Sequence, residues 1–269
     1  YNMINEYKIA KSAVLKAGEI LLDYYSLDYK ILNKNLNKNG NYNPVTDADK
    51  ASDEYLRDKL TSAFPDYGWF SEESKDSNER FKKERVWIVD PLDGTKEYIN
   101  KIPMWVVSVA LVENKKPILG ILYNPVKKQV FSAIEGKGSK LNNKTIFCTK
   151  NYKISDMTIL NSITETKDGL WVPFKNIFGK LKEVGSVAYK LGLVAAGKAD
   201  LFATLRPKNE WDICAGHCII NEAGGKMLDL NGKNIFYNKK NSLITPGMLA
   251  GYSKSVDNAI IILNRDNIL

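Results

Sequence analysis

Nitrogen and sulfur ligands are what this chain has least of. Its 269 residues include one histidine, His217, and three cysteines, Cys148, Cys214 and Cys218. Three thiols make no even framework, which excludes a disulfide scaffold and makes a reducing, cytoplasmic setting the expectation. Cys214 and Cys218 lie four apart beside His217, the spacing of half a metal site. A zinc centre would need further ligands that the chain lacks. The pair therefore reads as buried, reduced thiols on one helix face. Long apolar runs are missing too. The longest, such as Trp105 to Val112, are far too short to cross a bilayer. The first thirty residues carry charges throughout and hold no compact apolar run with a small-residue cleavage site, so no signal peptide is expected. No RNA-stacking motif, helix-turn-helix signature, internal repeat or low-complexity linker occurs. Neither a nucleic acid nor a membrane is an expected partner.

What is present is ordinary for a globular enzyme, with 44% hydrophobic and 26% charged residues. A chain this long can bury a sizeable core, as one domain built of two packed halves, 1–150 and 151–269. Lys and Arg number 39 against 31 Asp and Glu, a net charge of +8. The lysines are scattered, so the excess reads as a lysine- and asparagine-rich composition rather than a polyanion-binding patch. The Asn/Lys/Gly stretch from Lys30 to Asn43 reads as a mobile surface loop.

Apolar residues at three- and four-residue intervals predict a helix over Met3 to Tyr25. A second helix opens near Asp47, buries Ala51, Tyr55, Leu56, Leu60 and Phe64, and stops at Pro65-Asp66. Gly68 to Ser71 and Arg85 to Asp90 read as strands. Trp105 to Val112, Ile118 to Tyr123 and Gln129 to Ala133 read as an antiparallel meander. The second half alternates. Strands are expected at Met157–Leu160, Ala199–Thr204, Lys226–Leu230 and Met248–Tyr252. Helices are expected at Ser186–Ala196, ended by Gly197, at Asp212–Ala223, closed by Gly224-Gly225, and at Ser255–Leu263. This order argues for sheets sandwiched between helices.

The chemistry is carried by carboxylates. Hydrolysis of a phosphate ester needs its negative charge neutralised and a water made nucleophilic. Magnesium does both, through hard oxygen ligands. Four acidic clusters fit that need. In Asp90-Pro91-Leu92-Asp93-Gly94-Thr95, Asp90 ends a buried strand, Leu92 offers a carbonyl, and Asp93 returns to the same side. Gly94 lets the backbone approach a ligand, and the N–H groups of Gly94 and Thr95 can open a helix onto a phosphate. Glu72 and Glu73 follow a short strand, as a cation site or as an exposed acidic loop. Asp47 and Asp49 stand at a helix start, and Asp212 follows Trp211 at another. Each of these can be a ligand or a cap.

Taken together these motifs resemble the inositol monophosphatase superfamily. Trp87 to Thr95 looks like its first signature, and Trp211-Asp212 with Glu222-Ala223-Gly224-Gly225 like its second. Pro44 to Asp49, Ser71 to Ser74 and Gly185 to Ala188 resemble its remaining landmarks, in order. The resemblance implies an α/β fold of five layers, αβαβα, and a Mg²⁺-dependent phosphomonoesterase using two or three ions. It implies that Glu72, Asp90 and the Leu92 carbonyl hold a first ion, that Asp90, Asp93 and Asp212 hold a second, and that a third sits near Glu72. Asp49 and Thr95 would orient and deprotonate the attacking water. Sensitivity to Li⁺ and a homodimeric state are further family traits.

The expected substrate is a small phosphorylated molecule. Lys96-Glu97-Tyr98 after Thr95, and Asn209-Glu210 before Trp211, are similar to the 3'(2'),5'-bisphosphate nucleotidase branch. That branch removes the 3'-phosphate of adenosine 3',5'-bisphosphate. Lys96, Lys190, Arg206 and Lys208 could form a basic mouth. Gly94, Thr95, Lys96, Gly185, Ser186 and Glu210 are the expected substrate contacts. Inositol-1-phosphate, sugar bisphosphates and histidinol phosphate are the alternatives. A silent relative that only binds phospholigands is the alternative outside catalysis.

Overall fold

A computed structural model describes residues 3–26, 31–33 and 44–264. The stretch read as a loop over Lys30 to Asn43 lies outside these, except Ile31–Asn33, which pairs antiparallel with Pro44–Thr46. Seven α-helices are described: α1 (Ile4–Ser26), α2 (Asp47–Ala63), α3 (Thr95–Ile99), α4 (Ile163–Lys167), α5 (Val187–Ala195), α6 (Glu210–Glu222) and α7 (Ser253–Leu263). None is long and apolar enough to cross a membrane.

The first sheet has seven strands in chain order: Gly68–Ser71, Arg85–Asp93, Val106–Glu113, Lys116–Asn124, Gln129–Ile134, Ser139–Leu141 and Lys144–Ile146. Only its first pair is parallel; the rest is antiparallel and contains the expected three-strand meander, Val106–Glu113, Lys116–Asn124 and Gln129–Ile134. The run Val86-Trp87-Ile88-Val89 is apolar throughout because both faces of this sheet are covered. Trp87 and Val89 pack with Ala10, Val14, Leu21, Leu56 and Leu60 of α1 and α2. Val86 and Ile88 point the other way, into a cluster with Leu191 and Val194 of α5 and Ile213 and Cys214 of α6. At Gly120 a Cβ would lie 2.4 Å from the Ala215 carbonyl, so α6 can lie directly on the sheet only because that position has no side chain.

The second sheet runs in the order Lys180–Glu183, Thr158–Asn161, Leu201–Thr204, Met248–Tyr252, Gly225–Asp229. Leu160, Phe202 and Ala250 face the α5/α6 layer. Ile159, Leu201 and Leu249 face outward onto Val256, Ala259 and Leu263 of α7. The layers are therefore α1/α2, first sheet, α5/α6, second sheet and α7, the expected αβαβα sandwich.

The elements differ from their expected bounds mainly at their ends. Helix α6 begins at Glu210, not Asp212, and α7 at Ser253, not Ser255. The strand expected to end at Asp90 runs to Asp93. The hairpin Ser139–Leu141/Lys144–Ile146, the edge strand Lys180–Glu183 and α4 were not expected. All are short and lack a full period of alternation, so tertiary pairing decides them.

Candidate active site

The strand Arg85–Asp93 pairs Asp90 with Ser108 and Asp93 with Val106. Three steps on one strand thus oppose two on its neighbour, so one residue is extra. Successive side chains alternate across a strand, and residues three apart would face opposite ways. The extra residue restores Asp93 to the side of Asp90. The chain then turns at Gly94, whose φ is +98° and where a Cβ would meet the Met104 carbonyl at 2.9 Å and Ser186 Cβ at 3.2 Å. Only glycine suits that position. Helix α3 opens immediately after it, at Thr95.

Asp212 arrives from the other half. It is the third residue of α6, and its Oδ2 accepts from the Asn209 N–H at 2.8 Å. Expected as either ligand or cap, it has both placements. Carboxylate oxygens of Asp90, Asp93 and Asp212 all lie within 4.8 Å of one another. Asp90 and Asp93 are buried, and Asp212 is half-buried. Two unit charges at that distance repel by about 3 kcal/mol at an effective dielectric constant near 20. Burial and then the charges of Glu72, Asp93, Asp212 and Asp49 push Asp90 well above the usual carboxylate range. Burial and the charges of Asp93 and Glu72 do the same to Asp212. Asp93 is raised by burial, though hydrogen bonds from Ser186 and Ala188 and the charges of Lys190 and Lys208 pull it back.

An all-oxygen cluster of this kind suits a hard cation such as Mg²⁺, which removes the repulsion. The nitrogen and sulfur groups are elsewhere. His217 Nδ1 pairs with the Tyr237 hydroxyl at 2.8 Å. The three cysteines are free and buried, with thiols pushed up by burial, as the reading of inert thiols expects.

These carboxylates line a cleft of about 230 Å³ with Glu72, Leu92, Gly94, Thr95, Lys96, Gly185 and Ser186. Glu72 stands beside the close-set trio rather than within it. Asp49 is buried on α2, and Thr95 Oγ1 lies 3.5 Å from its Oδ2 and 3.2 Å from the Leu92 carbonyl. The Ser186 hydroxyl is already engaged: it donates to Asp93 Oδ2 at 2.5 Å and accepts from the Tyr189 N–H at 3.0 Å. Gly185 packs on Glu97, where a Cβ would meet Glu97 Cγ at 2.3 Å.

One expected contact is not brought to the cleft. Glu210 is fully buried, and its two carboxylate oxygens accept from the Asn238 and Lys239 N–H groups at 2.6 and 3.0 Å. Its side chain is spent on a turn. Burial pushes its carboxyl up to about 7. Arg206, expected at the mouth, pairs with Asp168 at 2.7 Å. Residues not expected as contacts also line the cleft, among them Glu97 and the Ser162-Ile163-Thr164 segment that opens α4. Lys190, expected at the mouth with Arg206, does line the cleft, buried, its Nζ donating to the Val184 carbonyl at 2.8 Å, and burial brings it down to about 8. Lys190 had a signal, since it falls four residues after Ser186 and so on the same helix face. Ser162 to Thr164 had none, because a long-range approach of the two halves puts them there.

Comparisons with known proteins bear on the family and the fold. The model of the inositol monophosphatase family matches residues 3–261. Inositol monophosphatase 3 of Solanum lycopersicum is 33% identical over 234 residues, 83% of this chain and 85% of that protein. The 3'(2'),5'-bisphosphate nucleotidase CysQ of Escherichia coli K12 is 35% identical over 215 residues, 76% of this chain and 83% of that one. Among solved structures, the extragenic suppressor protein suhB of Bartonella henselae superposes with a TM-score of 0.81 at 27% identity, covering 97% of both chains.

Proposed function

The chain belongs to the inositol monophosphatase family and is a phosphoric monoester hydrolase, and from that premise we propose that it is a Mg²⁺-dependent phosphatase that removes the 3'-phosphate of adenosine 3',5'-bisphosphate. Asp90, Asp93 and Asp212 would hold Mg²⁺, with Glu72 and the Leu92 carbonyl at the edge of the set. Bound there, the ion supplies neutralisation of the ester's charge and a more acidic water.

The rest falls to the protein's own groups. The Thr95 hydroxyl has one proton, which it can give to Asp49 or to the Leu92 carbonyl. Given to Asp49, it leaves the hydroxyl's lone pairs to accept from a water in the cleft, and as the water's proton passes to Thr95 the Thr95 proton passes to Asp49, the base. Gly94 and Thr95, at the start of α3, would offer backbone N–H groups to the phosphate.

The observation that carries the choice of substrate is a second charge centre. Lys96 and Lys190 line the same cleft as the carboxylates. A metal already neutralises the scissile phosphate, so two further cations suit a second phosphate rather than a neutral polyol ring. The Lys96-Glu97-Tyr98 sequence and the likeness to CysQ support the same reading. The likeness to Inositol monophosphatase 3 at similar identity favours inositol-1-phosphate as the second reading. A comparison of kcat/KM for the two esters under Mg²⁺ tests the choice. At least about a tenfold preference for the bisphosphate is expected, the worth of one good charged contact. Equal rates, or a preference for inositol-1-phosphate, would overturn it.

A further inference from the structure

Arg80 is 1% exposed and lies outside the cleft, in the short turn Glu79–Lys82 that follows the Glu72 segment. A buried guanidinium needs its donors filled. Its Nε and one terminal nitrogen donate to Asp76 Oδ2 at 3.0 and 2.8 Å. The terminal nitrogens also reach into the second half, to Asn238 Oδ1 at 2.5 Å and to the Lys239 carbonyl at 2.8 Å. The guanidinium lies over the Phe70 ring, 3.8 Å from its centroid. Phe70 stands two residues before Glu72, and its ring meets Trp211, the residue before Asp212, edge-on at 5.2 Å. The turn that Arg80 grips is tied to α6 in its own way, since the N–H groups of Asn238 and Lys239 hold Glu210. Two routes, one of stacked rings and one of hydrogen bonds, therefore run from Arg80 to the two residues that precede Asp212.

We infer that Arg80 and Glu210 form a clamp that positions the metal ligands, fixing the Glu72 segment of one half against the Asp212 segment of the other. The inference rests on the carboxylate cluster being a metal site. Glu72, Asp90 and Asp212 repel one another across the seam between the halves. A rigid link just behind that seam keeps the ligands together before a cation arrives. The planar fork of an arginine satisfies Asp76, Asn238 and Lys239 at once. A lysine keeps the charge and most of the stem but is a single point donor. Glu210 then anchors α6 and does not touch substrate.

The test is Mn²⁺ binding to the metal-free chain, followed by electron paramagnetic resonance, beside the Mg²⁺ dependence of phosphatase activity. Asp90→Asn is the control that removes binding in the wild-type background. Arg80→Lys and Glu210→Gln are each expected to weaken Mn²⁺ binding about tenfold, as loss of groups that orient metal ligands does. The half-saturating Mg²⁺ concentration should rise in proportion, while KM for the ester at saturating Mg²⁺ stays within about twofold of wild type. The double variant should be no weaker than the worse single one, because both cut the same link. Asn238→Ala, at a half-buried position, makes the same cut where Arg80→Lys fails to fold. Wild-type Mn²⁺ affinity in the folded variants, with only a lower melting temperature, would overturn the clamp. So would a raised KM with unchanged Mn²⁺ binding in Glu210→Gln, which would return Glu210 to the substrate. A wild-type chain that binds no Mn²⁺ would overturn the metal site itself, a different result from unaltered variants.

Discussion

The Ser186 hydroxyl donates to Asp93 Oδ2 at 2.5 Å, and the Ala188 N–H at the start of α5 donates to the same oxygen at 2.6 Å. One oxygen of Asp93 is thereby fixed by the second half of the chain, and the other is left for the carboxylate cluster. Ser186 adopts φ +57°, a conformation few side chains take readily, to make this contact while its hydroxyl oxygen caps α5 through the Tyr189 N–H. The cap of one helix and the aim of one candidate ligand are the same hydroxyl.

Asp93→Asn separates charge from shape. An amide oxygen can still accept from Ser186 and Ala188, so the fold should persist. Removing one of three crowded charges should leave the metal-free melting temperature unchanged or higher. Turnover should fall by more than about 100-fold, the upper end of what loss of a merely supporting group costs at a metal site. Added Mg²⁺ should no longer raise the melting temperature. Near-normal kcat with an intact Mg²⁺-dependent shift would remove Asp93 from the metal set.

Ser186 can be tested by pairing two substitutions. Ser186→Ala loses the cap, worth about 1 kcal/mol, and keeps the unfavourable φ. Ser186→Gly loses only a few tenths of a kcal/mol as a cap and relieves the backbone. The glycine variant should therefore melt closer to wild type than the alanine variant. Both remove one of the two donors that hold Asp93, leaving the Ala188 N–H, so both should lose kcat to a similar extent. Full kcat in the glycine variant would show that the tether does not matter.

His217 gives the protein a specific acid sensitivity. Burial lowers it to about 4, against about 6.5 in an unfolded chain. Above pH 6.5 it is neutral in both states and adds nothing to the pH dependence. As pH falls toward 4 the unfolded chain takes up a proton that the folded one refuses, so stability is lost across that window. Between pH 7.5 and pH 5 the loss is about 2 kcal/mol. Urea unfolding of wild type and His217→Gln at the two pH values measures it. The variant starts lower, because it disturbs the Tyr237 contact, but should show a shallower pH slope. Equal slopes would mean that His217 is not buried as a neutral ring.

The site was legible in the sequence where it is local. Asp90, Asp93, Gly94 and Thr95 lie within six residues, and one extra strand residue and one glycine bring them together. Asp212 was legible through its helix start. Lys96 was legible because it adjoins Thr95. Glu210 misled because it neighbours Asp212 in sequence. On α6 the step of two residues turns a side chain well away from its neighbour, and that turn carries Glu210 to the backbone N–H groups of residues 238–239. Arg80 gave no signal as a link between the halves, since its partners there, Asn238 and Lys239, lie about 160 positions away. The αβαβα order was implied by family resemblance. The reason it holds is visible in Val86 to Val89, where alternate residues serve two different helical layers.

The proposed second-phosphate site makes a prediction with two parts. Lys96 is exposed at the cleft and Lys190 is buried in it. Lys96→Glu puts a negative charge where a second phosphate would bind, and should lower kcat/KM for adenosine 3',5'-bisphosphate at least about tenfold more than for inositol-1-phosphate. Equal losses on both esters would remove Lys96 from specificity. Lys190 adds a pH signature. Burial brings it down to about 8, so in the free enzyme its charge fades as pH rises through that value. Since kcat/KM reports the free enzyme, the preference for the bisphosphate should decline above about pH 8 while the monoester rate does not follow it. Lys190→Met should abolish that decline and show the weaker preference at every pH. A preference constant from pH 7 to pH 9 in the wild type would place the second phosphate away from Lys190.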